Sequence, residues 1–554
     1  MIRSRIVDPN MIQSYQQFQQ SDDDGKSVAM ECTRAAGCTC PLCDMSASAM
    51  VEPKASVECT RAAGCACPQC DMSAAVLDDG CAAAAEEGVA PDAAAARPLG
   101  WQERDAYGIA DPTPEEVAAD APYLLVCHPR PEILGMCYRE VEKYLRTHRG
   151  WKRNYSKNGN PKPGTGPETG PWDLMLGGNK AKRVPFMRMS EHRSYNSGGQ
   201  SAVNYFAKYE LLDNKDQLAV TLRKHCARVG VPMHSLMPET HPFQPDSKRK
   251  AKQLEAIVGA FQTHAELAAA RPDGDTKNIW ILKQSELNQG KGCVLMDDLD
   301  AITAFLGGVA ADAGAWVVQQ YVHRPLLYVG ERKFDIRCWV VVKPDFTVLM
   351  YKEGVLRVGA ASYDLDDIGN IHAHLSNHCL AVGHADYGKY EATNELWYSQ
   401  FDTWLQSTHE KSFEDVILPQ IREITVHTML SAKDELENSD PAGAPWVSFQ
   451  LWGLDYMVDA DFNVQLLEAN VSPACADALL PQFGEDFVHT VLDPQFRPAD
   501  EYLAADGTAE RHVVANAKGG GDSSDFKRGF ETLWSPGDAV PGLAATDPEP
   551  EAYM

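Results

Sequence analysis

Two apolar segments near the carboxyl end carry acidic residues inside them, and this combination restricts the possible fold more than any other feature. The segments are FQLWGLDYMV at 449–458 and VQLLEAN at 464–470, separated by a short polar turn. They predict a β-hairpin with Asp455 inside the first strand and with Glu468 and Asn470 on one face of the second. A carboxylate among apolar side chains is costly unless it is paired or bound to a metal ion. Because Asp, Glu and Asn oxygens suit Mg²⁺ with bound phosphates, these three residues predict a magnesium site.

The segment LKQSELNQGKG at 282–292 combines the end of a strand with a polar loop. Lys283 stands where the predicted strand ends, and Gly290, Lys291 and Gly292 follow in the loop. Glycines let backbone amides close around an oxyanion, and lysine adds a point charge. The segment therefore predicts a phosphate-binding loop, with an ordinary glycine-rich turn as the alternative.

The segment RKFDIRCW at 332–339 places Lys333, Asp335 and Arg337 on one face of a predicted strand. A solvated strand face is the alternative, but both charge signs in close alternation beside Trp339 favour a functional site. In chain order, the phosphate loop, the charged strand and the carboxylate hairpin match the arrangement of an ATP-grasp ligase. No P-loop or dinucleotide-binding fingerprint competes with this interpretation.

The formal net charge of −27 is distributed unevenly over the 554 residues. Residues 1–120 contribute −12 and residues 501–554 contribute −6, whereas residues 121–250 hold 22 basic against 11 acidic residues. Residues 251–500 carry the remaining −20. The acidic total argues against nucleic acid as a partner, while the basic module is suited to an acidic protein surface.

The chain lacks an apolar run of the roughly 18–20 residues that a membrane helix needs. Its first residues, Met1-Ile2-Arg3-Ser4-Arg5, do not form the apolar core of a signal peptide. We therefore expect a cytoplasmic protein that does not insert into membranes.

The first 120 residues are rich in Ala, Asp, Ser and Gln, and we expect most of them to be disordered. One repeat stands out, because the segment 31–46 recurs at 58–73 as ECTRAAGC-x-CP-x-CDMS. Each copy has four cysteines at the spacing C-x5-C-x-C-x2-C: Cys32, Cys38, Cys40 and Cys43, then Cys59, Cys65, Cys67 and Cys70. Four thiolates suit tetrahedral Zn²⁺, so the repeats predict either zinc binding or free or redox-active thiols.

Several longer segments resemble the tubulin-tyrosine ligase family. In chain order they are IWILKQSELNQGKG, VVQQYVHRPLL, ERKFDIRCWVVV, YKEGVLR, HLSNHC, DYGKYEATNE and FQLWGLDYMVDADFNVQLLEANVSPACA. GWKRN at 150–154 and WDLMLGG at 172–178 are similar to the amino-terminal region of that family. The resemblance covers residues 121–500 and leaves 501–554 outside it, as an acidic, flexible tail.

Runs of β-branched and aromatic residues beyond Lys277, with a helical pattern at 413–436, predict an α+β arrangement with largely antiparallel sheets. The resemblance implies an ATP-grasp ligase core, a smaller amino-terminal α/β module and disordered N- and C-terminal extensions. The expected divisions are a basic α/β module at 121–190, a central ATP-grasp module and helical connector at 191–276, and a carboxyl-terminal ATP-grasp catalytic domain at 277–500.

The resemblance implies an ATP-dependent ligase that joins free tyrosine to the C-terminal glutamate of detyrosinated α-tubulin through an acyl phosphate. The phrases GKYEATNE and SFQLWGLDYMVD are similar to the tyrosine-adding member, whereas Val471-Ser472 departs from its Gly-Ala toward the Ser-Ser of other members. A polyglutamylase or glycylase of the same family, a catalytically inactive tubulin-binding protein, and a metal-binding adaptor built on the cysteine repeats stay open. We expect a monomer that binds the α/β-tubulin heterodimer and associates with the cytoskeleton.

The resemblance also implies roles for individual residues. Lys283 and Lys333 would hold ATP phosphates, with Gly290, Lys291 and Gly292 in the phosphate loop. Gln320, Tyr321 and Val322 would form the hinge beside the adenine, and Asp455, Glu468 and Asn470 would hold Mg²⁺. Asp335, Arg337 and Asn377 would be catalytic residues that order the phosphate and the incoming amino acid. Arg357 would bind the carboxylate of the acceptor. The residues expected to contact tubulin are Lys180, Lys182, Arg183, Arg188 and Arg193.

Overall fold

The computed structural model describes residues 123–128, 134–153, 172–177, 201–270, 277–391, 393–440, 443–496 and 527–541. The cysteine repeats at 31–46 and 58–73 lie outside these ranges, as do the basic residues between 180 and 193. Zinc binding and tubulin contact by those residues therefore stay predictions.

The described ranges contain 17 strands, numbered here in chain order. They are β1 (Leu124–His128), β2 (Lys152–Arg153), β3 (Leu174–Gly177), β4 (Ser201–Val203), β5 (Thr240–Phe243), β6 (Trp280–Gln284), β7 (Cys293–Met296), β8 (Trp316–Gln320), β9 (Leu327–Tyr328), β10 (Arg332–Val342), β11 (Val348–Tyr351), β12 (Val355–Val358), β13 (Glu395–Trp397), β14 (Trp446–Ser448), β15 (Gln450–Val458), β16 (Val464–Val471) and β17 (Phe530–Trp534).

Helices lie between and after these strands. They are α1 (Met136–His148), α2 (Glu210–Asp213), α3 (Lys215–Val229), α4 (Lys250–Ala270), α5 (Leu299–Gly308), α6 (Ile371–His374), α7 (His378–Val382), α8 (Tyr398–His409), α9 (Phe413–Val416), α10 (Leu418–Ser431), α11 (Lys433–Glu437) and α12 (Leu480–Phe487), with a 3₁₀ turn at Met233–Ser235 and a π-helical turn at Val488–Leu492. Within the described part of the chain, none of the helices has the length and apolarity needed to span a bilayer.

Five parallel strands form one sheet in the order β14-β4-β3-β1-β2. Tyr138 of α1 and Phe483 and Phe487 of α12 join one apolar cluster with Leu125 and Leu174 of this sheet. The predicted module at 121–190 supplies only β1, β2 and β3, while β4 and β14 come from later in the chain. Parallel neighbours are joined by crossover connections, so strands far apart in sequence are able to pair.

A second, antiparallel sheet has the order β5-β8-β6-β7. Helices α4 and α5 pack on it, with Ile257 and Leu306 against Trp280 and Trp316. The alternate residues of the same strands point to the other face, where Ile281 and Lys283 of β6 and Gln319 of β8 line the cleft described below.

The third sheet contains eight strands and is built around β10, in which every residue is buried. β15 pairs along one edge of β10, and β12 and then β11 pair along the other. β16 continues the sheet beyond β15 as the predicted hairpin, with Asp455 opposite Glu468. The mixture of helices and sheets confirms the predicted α+β class, although the first sheet is parallel rather than antiparallel.

The prediction of a flexible tail over residues 501–554 is wrong for β17. This strand pairs antiparallel with β11 at the edge of the third sheet. Phe530 packs against the Tyr351 ring, Trp534 is buried in the main core, and Glu531 makes two hydrogen bonds to Arg422 at 3.0 Å. Five residues are too short a pattern to reveal a strand whose partners lie about 180 residues earlier.

Replacing Trp534 by Ala is expected to lower the free energy of unfolding by about 3 kcal/mol, because the indole leaves a cavity in the core. Urea unfolding followed by circular dichroism measures the change. Val540→Ala is the matched control, since the Val540 side chain is 43% exposed. Equal stability of the two variants would show that residues 527–541 do not pack on the sheet.

Candidate active site

A cleft is lined by residues of both antiparallel sheets. It brings together most of the residues singled out in the sequence: Lys283, Gly290, Gln320, Tyr321, Val322, Lys333, Asp335, Arg357, Asn377, Asp455 and Glu468. Arg337 and Asn470 lie directly behind this lining and are hydrogen-bonded to Asp455. Lys291 and Gly292 belong to the adjoining loop but are not part of the lining.

Two buried lysines face the cleft, and both donate to neutral side chains. The Lys283 ammonium donates to Gln319 Oε1 at 2.7 Å, and the Lys333 ammonium donates to the Tyr321 hydroxyl at 2.7 Å. Burial lowers the pKa of Lys283, while burial and the nearby charge of Lys283 lower the pKa of Lys333 to about 7. Neither lysine forms an ion pair within the described ranges, so both amines are suited to an anion that enters the cleft.

Beside these lysines, aspartates and arginines on β10, β12 and β15 form a buried network. The pairing of β10 with β12 places Asp335 opposite Arg357, and the pairing of β10 with β15 places Arg337 opposite Asp455. Arg337 binds both carboxylate oxygens of Asp455, and Arg357 reaches Asp335 Oδ1 at 2.6 Å and Asp455 Oδ2 at 2.8 Å. Burial would lower the pKa of Arg357, but the two aspartates raise it well above its usual range. Arg357 therefore binds internal carboxylates here, and its contact with an acceptor carboxylate stays a prediction.

The hairpin brings its three polar residues together as the sequence indicates. Asn470 Nδ2 donates to Glu468 Oε1 at 3.1 Å and to Asp455 Oδ2 at 3.4 Å. Burial would raise the pKa of Glu468, but Lys215 and Lys283 lower it well below its usual range, so the carboxylate is ionised.

The donor set of this hairpin fits Mg²⁺. The ion is commonly held by one or two protein carboxylates, with substrate phosphates and water completing the coordination shell. Asp455 and Glu468 supply two carboxylates, and Asn470 would supply its amide oxygen after the amide, whose Nδ2 here donates to both carboxylates, has turned over. Among the residues with described positions, no group of three or more His, Cys, Asp and Glu side chains is arranged to hold a metal ion by itself.

The predicted phosphate-binding loop has a backbone that favours its glycines. Gly290 and Gly292 have φ angles of 73° and 69°, in the left-handed region that other residues rarely adopt. A Cβ atom on Gly290 would lie 2.9 Å from Leu380 Cδ1 and 3.0 Å from Asn377 Oδ1. The loop therefore packs closely against the segment that carries Asn377, and a larger residue would separate them.

Sequence reasoning missed Lys215, which connects this loop to the hairpin. It is the first residue of α3, it is buried, and its ammonium donates to the Leu287 carbonyl at 2.7 Å and lies 3.5 Å from Glu468 Oε2. A cation in the first helical turn is disfavoured by the helix dipole and so needs a local reason. The sequence therefore contained a signal for Lys215, because a lysine stands directly after Asn214, where the helix begins.

Gln319, His374 and Ser376 were also absent from the predicted site. Ser376 donates to Asp335, and His374 Nδ1 lies 3.0 Å from the Tyr321 hydroxyl. Gln319 is the acceptor for Lys283. These are neutral residues inside ordinary apolar or loop segments, so nothing in their local pattern distinguishes them.

Replacing Asp455 by Asn is expected to lower the free energy of unfolding by about 3 kcal/mol, because Arg337 and Arg357 lose the charge that compensates their burial. Urea unfolding measures the change. The matched control is Asp434→Asn, whose carboxylate pairs with Arg228 at the surface and is 76% exposed, and which is expected to change stability by less than about 1 kcal/mol. A shift no larger than that of the control would contradict the importance of the buried network.

Comparison with known proteins agrees with this geometry. Residues 192–502, more than half of the chain, match the model of the tubulin-tyrosine ligase family. Tubulin glycylase 3E of Tetrahymena thermophila is 32% identical over 222 residues, which cover 36% of this chain and 14% of that protein. Tubulin glycylase 3F of the same organism is 31% identical over 210 residues, which cover 36% and 22%.

Tubulin monoglycylase TTLL3 of Danio rerio is 32% identical over 232 residues, which cover 39% of this chain and 29% of that protein. The matched part of the chain thus spans less than a third of the length of each of these relatives. The family match covers the phosphate loop, the charged strand and the carboxylate hairpin together. The chain belongs to the tubulin-tyrosine ligase family.

Proposed function

We propose that this protein is an ATP-dependent ligase with an ATP-grasp core that attaches glycine to a glutamate carboxylate of tubulin. The observation that carries the proposal is the meeting of two lysines and two acids in one cleft. Lys283 of β6 and Lys333 of β10 line it and, among the described residues, form no ion pair, and Asp455 and Glu468 of the hairpin line the same cleft. This arrangement suits a nucleoside triphosphate with Mg²⁺.

The reaction we propose begins with a tubulin carboxylate, which is a poor electrophile. Transfer of the γ-phosphoryl group of ATP to this carboxylate gives an acyl phosphate and ADP. The glycine amine then attacks the acyl carbon, an amide bond forms, and inorganic phosphate leaves. No side chain of the enzyme needs to become covalently modified, so positioning and charge stabilisation are its contributions.

The residues of the cleft divide these tasks. Lys283 and Lys333 would bind phosphate oxygens, and their buried positions strengthen that interaction. Asp455, Glu468 and Asn470 would hold Mg²⁺, which neutralises charge on the transferred group when it is bound. Arg337 and Arg357 hold Asp455 in place, since each donates to its carboxylate.

The choice of glycine rests on the relatives rather than on the cleft. The motifs of the sequence led to the expectation of tyrosine, whereas the three relatives described above are named as tubulin glycylases or a monoglycylase. Val471-Ser472 also departs from the pattern of the tyrosine-adding member. These observations favour glycine as the incoming amino acid.

The decisive experiment incubates the full chain with ATP, Mg²⁺, tubulin and one radiolabelled amino acid at a time. We expect label from glycine to enter tubulin, and Glu468→Gln to reduce the rate at least about 100-fold because the phosphoryl group loses charge stabilisation. Glu437→Gln is the matched control, since Glu437 pairs with Lys433 on the exposed helix α11.

Each amino acid gives a different answer in this assay. Label from tyrosine or glutamate alone would replace glycine with that substrate and leave the ligase chemistry intact. The absence of incorporation from any amino acid, with folded protein, would contradict the enzymatic proposal.

The depressed pKa of Lys333 predicts proton uptake on nucleotide binding. With a pKa of about 7 the amine is mostly neutral at pH 8 in the free protein, and a bound phosphate would raise the pKa and favour protonation. We therefore expect nearly one proton to be taken up by Lys333 at pH 8 and little at pH 6, where the amine already carries its proton.

Isothermal titration calorimetry in two buffers with different ionisation enthalpies measures this uptake. Lys333→Arg is the control, because arginine is charged at both pH values. If the variant took up as many protons as the wild type at pH 8, Lys333 would not be the group that titrates.

A further inference from the structure

Three residues that line the cleft are joined by hydrogen bonds into one chain, which runs from Lys333 through the Tyr321 hydroxyl to His374. The Lys333 ammonium lies 2.7 Å from the Tyr321 oxygen, and this oxygen lies 3.0 Å from His374 Nδ1. On the other side of the ring, His374 Nε2 lies 3.0 Å from the backbone carbonyl oxygen of Asp367. The chain therefore connects a cation of the cleft to a backbone acceptor outside the cleft lining.

The direction of each hydrogen bond follows from the last member of this chain. A carbonyl oxygen only accepts, so His374 Nε2 carries a proton. Burial lowers the pKa of His374, the hydrogen bond to Asp367 opposes that effect, and the charge of Lys333 lowers the pKa further. The imidazole is therefore neutral at pH 8, and its Nδ1 is an acceptor. The Tyr321 hydroxyl donates its one proton to Nδ1, which leaves the lone pairs of its oxygen facing Lys333.

We propose that His374 is a positioning residue that turns the Tyr321 hydroxyl proton away from Lys333 and thereby favours the charged form of this lysine. The inference rests on the proposed function, since the charge matters to the reaction only if Lys333 binds a phosphate. An ammonium group donates to the tyrosine oxygen, whereas the lone pair of a neutral amine needs a donor. Because His374 accepts the tyrosine proton, Tyr321 cannot supply that donor.

The hydrogen-bonded tyrosine acts against the other influences on Lys333. Burial and the charge of Lys283 on β6 favour the neutral amine, while Asp335 on the same strand favours the ammonium. An acceptor at Tyr321 adds to the effect of Asp335. Without His374 the tyrosine could reverse its hydrogen bond, and its contribution would then favour the neutral amine instead.

The His374 ring is held in place by aromatic neighbours. It lies edge-on to the rings of Tyr321 and Tyr363, with ring centroids 5.7 Å and 5.3 Å apart. The Tyr363 hydroxyl donates to a backbone carbonyl at 2.8 Å, so its proton is already used. Among the described residues, the charges that act on this imidazole are those of Lys333 and Asp367. The geometry thus leaves the Tyr321 hydroxyl as the donor to Nδ1.

The test measures the affinity for ATP with Mg²⁺ at pH 6 and at pH 8, by competition against a fluorescent ATP analogue. His374→Phe keeps an aromatic ring beside Tyr321 and Tyr363 but removes the acceptor, so the tyrosine proton can turn to the lone pair of Lys333. One hydrogen bond changes an equilibrium about five- to tenfold, and we expect this loss of affinity at pH 8. At pH 6, where the wild-type amine already carries its proton, we expect the two proteins to agree within about twofold.

Further variants separate this role from a structural one. His374→Asn places an amide oxygen near the position of Nδ1 and should restore the wild-type pH dependence. His372→Phe is the matched control, because His372 lies in the same short helix α6 and packs against His384. Tyr321→Phe removes the hydroxyl, so adding His374→Phe to it should cause no further change. Equal weakening by His374→Phe at both pH values, without rescue by His374→Asn, would overturn the proposal.

A measurement without nucleotide separates this inference from the proposed function. Competitive labelling of the free protein with acetic anhydride between pH 5 and pH 9, read from the mass of the peptide that contains Lys333, gives the pKa of its amine. We expect His374→Phe to lower this pKa, and an unchanged value would overturn the inference while the ligase proposal stands. If the pKa falls but the folded wild type binds no ATP, the hydrogen-bond direction is supported and the proposed function fails.

Discussion

The buried charges around Asp455 are the constraint on which the rest of the site depends. Three neighbouring strands, β10, β12 and β15, each place a charged side chain in the same apolar sheet. Such groups are stable there only when opposite charges stand directly across from each other. A slip of one residue in the register of β10 would turn Asp335 and Arg337 to the opposite face and leave Asp455 and Arg357 unpaired. The electrostatics of the site and the register of the sheet therefore stabilise each other.

The cleft contains two kinds of charge that differ in how fully they are compensated. The aspartates and arginines are satisfied internally by hydrogen bonds. Among the residues that the structure describes, Lys283 and Lys333 donate to neutral partners, a glutamine and a tyrosine. A polyanion is consequently attracted by the lysines without having to break the network that shapes the floor of the cleft. Carboxylates fixed by hydrogen bonds, together with lysines that have neutral partners, suit the stabilisation of charge in phosphoryl transfer.

The sequence alone predicted much of this site because its key residues occupy informative local patterns. Asp455 interrupts an apolar strand, and Lys333, Asp335 and Arg337 alternate along another, so strand periodicity places them on defined faces. Gln319 and His374 carry no such pattern, and their importance comes from contacts across the tertiary structure. Fold prediction failed where elements distant in sequence meet. The pairing of β17 with β11 depends on residues about 180 positions apart. The expected boundary at residue 190 divides a sheet that β4 and β14 complete. Local propensity describes an element but not its neighbours.

The position of β14 in the parallel sheet has a consequence for how the chain is made. The ribosome releases β1, β2, β3 and β4 long before Trp446 emerges, so the outer edge of β4 stays unpaired while the second sheet and most of the third are synthesised. β17 pairs with β11 of the third sheet only after about 180 further residues have been synthesised. Open strand edges invite wrong pairing in a growing chain. The parallel sheet therefore stays incomplete from the synthesis of β4 until Trp446–Ser448 has been made.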